Sequence, residues 1–207
     1  MFGRGREVFD LRTLEDPVAL KASWDPLVSG GWNFCTHRLS PNNGKMVIKV
    51  SPAAHIFCYF CIGFGLFVSR LMAWIIDEPS TVISGNMPTW MAPILPLVFS
   101  VFGGGLLWWL YRKNVFFDKK KGIYTCQGKS LPLDEIHAIQ LIDEYCAGHE
   151  RNYWSYEMNL ILKTGERFDV TDHASLRAIR VDGKKLAEYL GIPVWDLIDY
   201  EIRSATH

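Results

Sequence analysis

The chain has 207 residues, is 49% hydrophobic and 21% charged, and carries no net charge. That balance argues against a nucleic-acid partner, which selects for a strongly basic face. Five cysteines, an odd number, argue for free thiols over a disulfide framework.

The apolar residues are not spread evenly, and the chain divides into residues 1–51, a central apolar region 52–111 and residues 112–207. The first segment lacks an apolar core followed by a small-residue cleavage site. No removable signal peptide is therefore expected, and the first apolar run serves as its own insertion signal. Within this segment the runs Trp32 to Leu39 and Lys45 to Val50 flank Pro41-Asn42-Asn43-Gly44, and Met46, Ile48 and Val50 alternate with Lys45 and Lys49. Alternating runs around turn residues predict a β-hairpin.

Two apolar runs follow, 54–76 and 88–111, each long enough to cross a bilayer. Arg38, Lys45 and Lys49 precede them and Arg112, Lys113, Lys119, Lys120 and Lys121 follow, while the loop 77–87 holds Asp77 and Glu78 and no Lys or Arg. Basic flanks stay on the cytoplasmic side, so the loop is expected outside and both termini inside a bacterial inner membrane. Cys61, Gly65 and Ser69 recur every fourth position in the first span, and Ser100 and Gly104 do so in the second. Small residues at that spacing let two backbones approach, either within the hairpin or between copies of it, which leaves a homo-oligomer open. Cys58 and Cys61 have a C-x-x-C spacing but sit in lipid without a stabilising cation, so they read as packing residues. His55, Trp108, Trp109 and Tyr111 fall at the inner boundary and Trp74 and Trp90 at the outer one. Pro93 and Pro96 predict a kink or a late helix start. Arg70 is the one full charge inside a span. It marks a polar site within a larger assembly, or it snorkels to headgroups or donates to carbonyls freed near Pro93.

After the spans, Val115 to Asp118 and Ile123 to Cys126 flank a Lys-Lys-Lys-Gly turn. Ala138 to Cys146 reads as a further strand, entered through Leu131 to Ile136. Tyr156 to Leu162 and Phe168 to Val170 alternate around Thr164-Gly165 as a third hairpin. A closing helix is expected over 174–190, with Asp172 as N-cap and Gly191 and Pro193 as its stop. Leu176, Ile179, Gly183, Leu186 and Leu190 share one of its faces.

Seven antiparallel strands and a C-terminal helix resemble the order of elements in pleckstrin-homology-like (PH-like) domains. The fold class expected from that resemblance is a membrane α-hairpin plus an α+β cytoplasmic domain, its antiparallel seven-stranded PH-like sheet or barrel interrupted by the spans. Phe117 to Gly122, Leu133-Asp134-Glu135-Ile136, Tyr156 to Leu160, Thr171-Asp172-His173 and Leu186 to Pro193 resemble the pattern of uncharacterised bacterial two-span membrane proteins. The same layout is similar to the photosystem I assembly factor family. Neither resemblance supplies catalytic residues, and together they imply a membrane-bound, assembly-related binding module.

Asp143, Glu144, Cys146, His149 and Glu150 form the densest polar cluster, and Asp169, Asp172 and His173 a second. Cys146, His149, Glu150 and His173 are the candidate metal ligands, but Cys-x-x-His is a single pair without a second half. No H-E-x-x-H, phosphate loop or G-x-S-x-G occurs. No cofactor, metal or catalytic residue is therefore assigned. Tyr153, Trp154 and Tyr156 read as a sheet edge or partner surface, since no basic residues accompany them for nucleic acid. Lys119, Lys120 and Lys121 are candidates for contact with lipid headgroups. The expectation is a non-enzymatic membrane protein that binds lipids through its spans and a protein partner through its soluble part. A metal-dependent membrane enzyme and a small transporter or channel subunit are the alternatives.

Overall fold

The computed structural model describes residues 6–27, 29–31, 33–77, 90–148 and 151–203. Most of the loop expected at 77–87, and both His149 and Glu150, lie outside the described residues. The chain forms two compact units, one from residues 1–49 with 114–207 and the other from residues 50–113.

The first unit begins with β1 (Glu7–Asp10), a 3-10 turn and the short helix α1 (Pro17–Lys21), capped by the Asp16 carboxylate on the Val18 N–H. β2 (His37–Asn42) and β3 (Lys45–Val50) are joined by Asn43 and Gly44, at φ 48° and 78°, the left-handed pair that a two-residue hairpin turn requires. β4 (Val115–Asp118) pairs antiparallel with β3, β5 (Ile123–Cys126) with β4, and β6 (Lys129–Pro132) with β5, giving a five-stranded sheet in the order β2-β3-β4-β5-β6. Pro132 has no N–H to donate, and the chain leaves the sheet there through a 3-10 turn at Leu133–Glu135.

A second sheet starts with β7 (Ile136–Cys146), which pairs antiparallel with β8 (Tyr153–Leu162), and β8 with β9 (Arg167–His173). Helix α2 (Pro52–Asp77), α3 (Met91–Ile94) and α4 (Leu97–Tyr111) belong to the second unit, and the amphipathic α5 (Leu176–Leu190) to the first. The Ser175 hydroxyl, not Asp172, caps α5 by accepting from the Ala178 N–H, because the β9 ladder runs on to the pair Tyr156–His173 and keeps Asp172 extended. Gly191, at φ 80°, ends the helix. The chain then returns as β10 (Val194–Asp196), parallel to β7, while β11 (Tyr200–Arg203) pairs parallel with β1.

These pairings overturn the antiparallel seven-stranded PH-like sheet or barrel. The strands divide among a five-stranded antiparallel sheet, a mixed four-stranded sheet in the order β10-β7-β8-β9 and a two-stranded parallel ribbon, and no barrel closes. The physical cause is the edge of β7. The Ile139 N–H donates to Pro193 O at 2.9 Å and the Leu197 N–H to Leu141 O at 3.1 Å, so β10 occupies the edge through which β7 would otherwise join β6.

The larger of this unit's two hydrophobic clusters draws on both sheets and α5. Ile48, Val115, Phe117 and Tyr124 come from the first sheet, Ile139, Leu141, Met158 and Leu160 from the second, and Ile179, Leu186 and Ala187 from α5. Each fully buried aliphatic side chain contributes about 1.5–3 kcal/mol. Gly183 lets α5 approach the sheet, since a Cβ there would come within 3.1 Å of Leu141. Next to it Asp182, 2% exposed, accepts from Arg38 Nε at 2.8 Å and from the Leu39 N–H at 3.0 Å, which fastens β2 to α5.

In the second unit α2 and the stretch 91–111 are long and apolar enough to cross a membrane, and only 17% and 6% of their most apolar windows are buried in the protein. A core helix of a soluble protein would be mostly covered, so the pair marks the chain as membrane-associated. The second helix breaks at Leu95–Pro96, and the Ser69 hydroxyl donates to Pro93 O. Ser100 Oγ donates to Ile62 O at 2.9 Å. A Cβ on Gly65 would lie 2.6 Å from Pro96 O, and one on Gly103 would lie 2.7 Å from Cys58 O and 2.9 Å from Cys61 Cβ. Gly104, one residue on, meets nothing within 4 Å, so Gly103 makes the contact expected of Gly104. His55 bridges Ser51 O at 2.9 Å and the Tyr111 hydroxyl at 2.8 Å, joining the two helix ends.

Asp182→Ala is expected to destabilise the first unit by about 2–3 kcal/mol, since it strands a buried N–H and an arginine. Urea unfolding of the full chain in mild detergent reads the loss, and Asp182→Asn, which keeps an acceptor for the Leu39 N–H, should recover part of it. In the second unit Gly65→Ala should cost about 1–3 kcal/mol by overpacking, whereas Gly104→Ala leaves the unfolding midpoint in detergent unchanged; equal behaviour of the two variants refutes the seam.

Candidate functional site

Strand alternation gives the β7–β8–β9 sheet two faces of opposite chemistry. One carries Ile139, Leu141, Met158 and Leu160 toward α5. On the other, Gln140 pairs with Asn159, Ile142 with Glu157, and Glu144 with Ser155. Asp172 stands opposite Glu157 on β9. At one end of this second face Ala138 and Ile161 are covered by Ala19, Ala22, Trp24 and Trp195, and beyond them it is polar.

Residues 23–27 and 29–31, which have no helix or strand, lie across the polar part; Trp24 packs on Trp195, Ser29 Oγ donates to Glu144 at 3.3 Å, and the other contacts are made by the main chain. Gln140 Nε2 donates to Ser23 O at 3.0 Å and Arg167 Nη2 to Asp25 O at 2.7 Å. Glu157, 4% exposed, accepts the Leu27 N–H on both carboxylate oxygens at 3.1 and 3.0 Å, and also the Asn159 amide. Glu144 accepts the Gly30 N–H at 3.0 Å, and the Tyr153 hydroxyl donates to Gly31 O at 2.7 Å. Burial lowers Arg167 from its ordinary value, with Glu157 and Asp25 pulling the other way. The side chains of residues 25–27 and 29 are exposed. Gly31 is the exception in packing, since a Cβ there would collide with Ser155 and lie 3.0 Å from Asp172. Two oxygens under this strap, Ser155 Oγ and Asn159 Oδ1, are buried and have no hydrogen-bond partner among the described residues.

A groove of about 480 Å³ opens beside the strap, between Ser23, Trp24 and Asp25 on one side and Arg6, Tyr200 and Glu201 on the other, with Ile142 and Asp143 also lining it. Asp143 forms an ion pair with Arg6. Burial pushes its carboxyl up from its ordinary value, opposed by Arg6 and by the Asp199 N–H. The Arg6 guanidinium also stacks 4.3 Å over the Trp154 ring, which packs 4.8 Å from Tyr145.

The polar clusters seen in the sequence are split by the same alternation. Asp143 points to the α5 side of the sheet, Glu144 and Cys146 to the strap side. Cys146 is buried, donates to Glu144 at 3.5 Å, and has its thiol raised by burial and by that carboxylate. Asp172 faces the strap, while His173 is fully buried on the core side. Its Nδ1 accepts from the Ser175 N–H at 3.2 Å and its Nε2 has no partner. Among the described residues no group of three or more His, Cys, Asp or Glu is arranged to hold a metal ion.

Lys119, Lys120 and Lys121 form an exposed turn. The Lys120 and Lys121 N–H groups donate to Asp118, which also pairs with Lys45 at 2.8 Å, and the Lys119 ammonium sits 5.2 Å over Tyr189. The Lys45 hydrogen bond holds the Asp118 carboxyl below its usual range. Arg70 is exposed on α2, and it is Ser69, not Arg70, that satisfies the carbonyl of Pro93.

Gln140, Glu157, Asn159, Arg167 and Gly31 were not singled out from sequence. Their signal was polar residues at period two on β7 and β8, a pattern that also describes a solvated strand face; the paired Gly30-Gly31 was the only local hint of a close approach. No family model, curated protein or solved structure matches the chain.

His173 generates a pH dependence. Burial lowers its imidazole from 6.5 to about 4, so the unfolded chain binds the proton first as the medium is acidified. Its contribution is intact above about 6.5 and is lost progressively toward about 4, on the order of 3 kcal/mol in all. Unfolding free energies of the wild type and of His173→Asn, which keeps an acceptor for the Ser175 N–H, should converge or cross over that window; parallel pH curves contradict the assignment.

Proposed function

We propose that this chain is a non-enzymatic integral membrane protein in which a two-helix hairpin anchors a protein-interaction unit, and that it serves as an accessory or assembly subunit of a membrane complex. The observation that carries the reading is the polar face of β7–β8–β9, which grips an irregular polypeptide segment largely by its main chain through Gln140, Glu144, Tyr153, Glu157 and Arg167. Side chains that bind main-chain N–H and C=O groups suit polypeptide recognition. They are already engaged with one another and with the strap, and no nucleophile with a paired base stands among them.

The basic flanks Lys45, Lys49, Arg112 and Lys113 support insertion in a bacterial inner membrane with both termini in the cytoplasm. Trp108 and Trp109 carry Arg112 and Lys113 over their rings at 4.9 and 4.3 Å, a pairing of aromatic and cation suited to the headgroup layer. Lipid contact is thus made by the hairpin, and the partner is a protein of the same membrane or of the cytoplasm.

Two measurements check this. Reporter fusions should give active alkaline phosphatase only within 77–87 and fluorescent GFP at both ends. Solubilised in mild detergent from its native membranes, the chain should migrate with a stoichiometric second polypeptide. Migration of the chain alone, or only with copies of itself, overturns the accessory role.

A further inference from the structure

We propose that the polar face of β7–β8–β9 is a binding site for a glycine-containing peptide segment of low charge that bends as it crosses the sheet, and that residues 25–27 and 29–31 occupy it in cis as a displaceable strap. This deepens the protein-interaction reading and rests on it for the identity of the natural partner.

Three observations converge. First, a permanent cover lies on an apolar face, because only apolar surface gains from being hidden. Here the covered surface is made of Gln140, Glu144, Glu157, Asn159 and Arg167, groups that water would satisfy equally well. Trp24 stays packed on Trp195 and keeps the small apolar cluster covered, so the displaceable part begins at Asp25, and Ile142, 3% exposed, is the apolar residue of β7 on this part of the face. Second, apart from the Ser29 hydroxyl, which donates to Glu144 at 3.3 Å, the contacts are with the strap's N–H and C=O groups while the side chains of residues 25–27 and 29 are exposed, so the face reads chiefly backbone. Third, the strap leaves hydrogen-bonding capacity unused. Ser155 and Asn159 are 2% and 0% exposed, and Ser155 Oγ and Asn159 Oδ1 have no partner among the described residues. Buried polar atoms are rarely left so, and Ser155 is aimed at the position where Gly31 crosses.

The same geometry states what the occupant must be. It must bend as the strap does, with a left-handed residue where Gly30 stands at φ 80°, to present N–H groups where those of Leu27 and Gly30 now meet Glu157 and Glu144. It must have glycine where Gly31 stands, since any Cβ there strikes Ser155. It can carry little negative charge, a single carboxylate near Arg167 as the strap has in Asp25, because Glu144, Glu157, Asp169 and Asp172 outnumber Arg167 four to one on this face. Tethered in cis, the strap competes at a millimolar effective concentration, so the wild-type face is closed to a weak free peptide and opens only to a better-matched or locally concentrated one.

The test uses the full chain in mild detergent and a fluorescent synthetic peptide of residues 22–33 as probe. Leu27→Pro with Gly30→Pro removes the two donated N–H groups and should bind the probe at least about 30-fold more tightly than the wild type. Leu27→Ala keeps the N–H and should match the wild type, and a probe with valine in place of glycine 31 should bind neither. A folded double variant that fails to bind the probe overturns the proposal. Hydrogen exchange on the unmodified protein gives a second test that needs no variant. The Leu27 and Gly30 amides should exchange at least tenfold faster than those of β8; exchange only at the rate of the β7–β8 ladder makes the strap a fixed part of the fold and overturns the proposal. Probe binding without a co-purifying partner would overturn the accessory role and leave the site standing. A partner that still co-purifies when the probe fails would do the reverse.

Discussion

The β7–β8 ladder holds its register from Ala138–Ile161 to Cys146–Tyr153, and that unbroken alternation is the constraint on which the rest of the first unit depends. A slip of one residue would exchange its faces, sending Leu141 and Met158 toward the strap and Gln140 and Glu157 toward α5. The apolar face would then lose its helix and the buried carboxylate its N–H donors. Both penalties act against the same error, so the register is doubly specified. From this one hairpin follow the seat of α5, the parallel docking of β10 and the path of the N-terminal strap.

A second constraint concerns where the membrane region enters. β3 and β4 are neighbouring antiparallel strands, with Ile48 opposite Val115, so the chain leaves one and re-enters the other side by side. An antiparallel pair ordinarily closes with a short turn; here residues 50–113 take that place. Because α2 begins and α4 ends side by side, joined by His55 and Tyr111 at 2.8 Å, the insertion leaves the ladder intact. Asp182 then ties β2, before the insertion, to α5 near the end of the chain. The charge is buried beside Arg38 and a main-chain donor, and thereby links two segments that are distant in sequence.

Much of the local structure was legible. Asn43-Gly44, Thr164-Gly165 and Gly191 punctuated the elements because only a left-handed backbone fits there, and glycine supplies it most cheaply. The periodicity of α5 and of β7 and β8 was visible because each has one face in a core. The short elements were not. β6, β10 and the β1–β11 ribbon have three or four residues each, too few for a periodicity, and they form because a neighbouring edge is waiting for them. The candidate site escaped for a related reason. Glu157 and Asn159 carry the pattern of a solvated strand face, and nothing local says that a segment 130 residues away donates its N–H to that carboxylate.

By itself, then, the sequence determined the two apolar helices, the turns and most of the strands, all of which depend on interactions within a few residues or on long runs of apolar side chains. Only the tertiary structure decided which strands share a sheet, that the β7 edge goes to β10 and not to β6, that Gly103 and not Gly104 meets the first span, and that a polar sheet face is covered by a strap. Those outcomes depend on competition among distant segments for the same edges and hydrogen-bonding groups. A competition of that kind is settled by geometry in three dimensions, where a local pattern of residue types is silent.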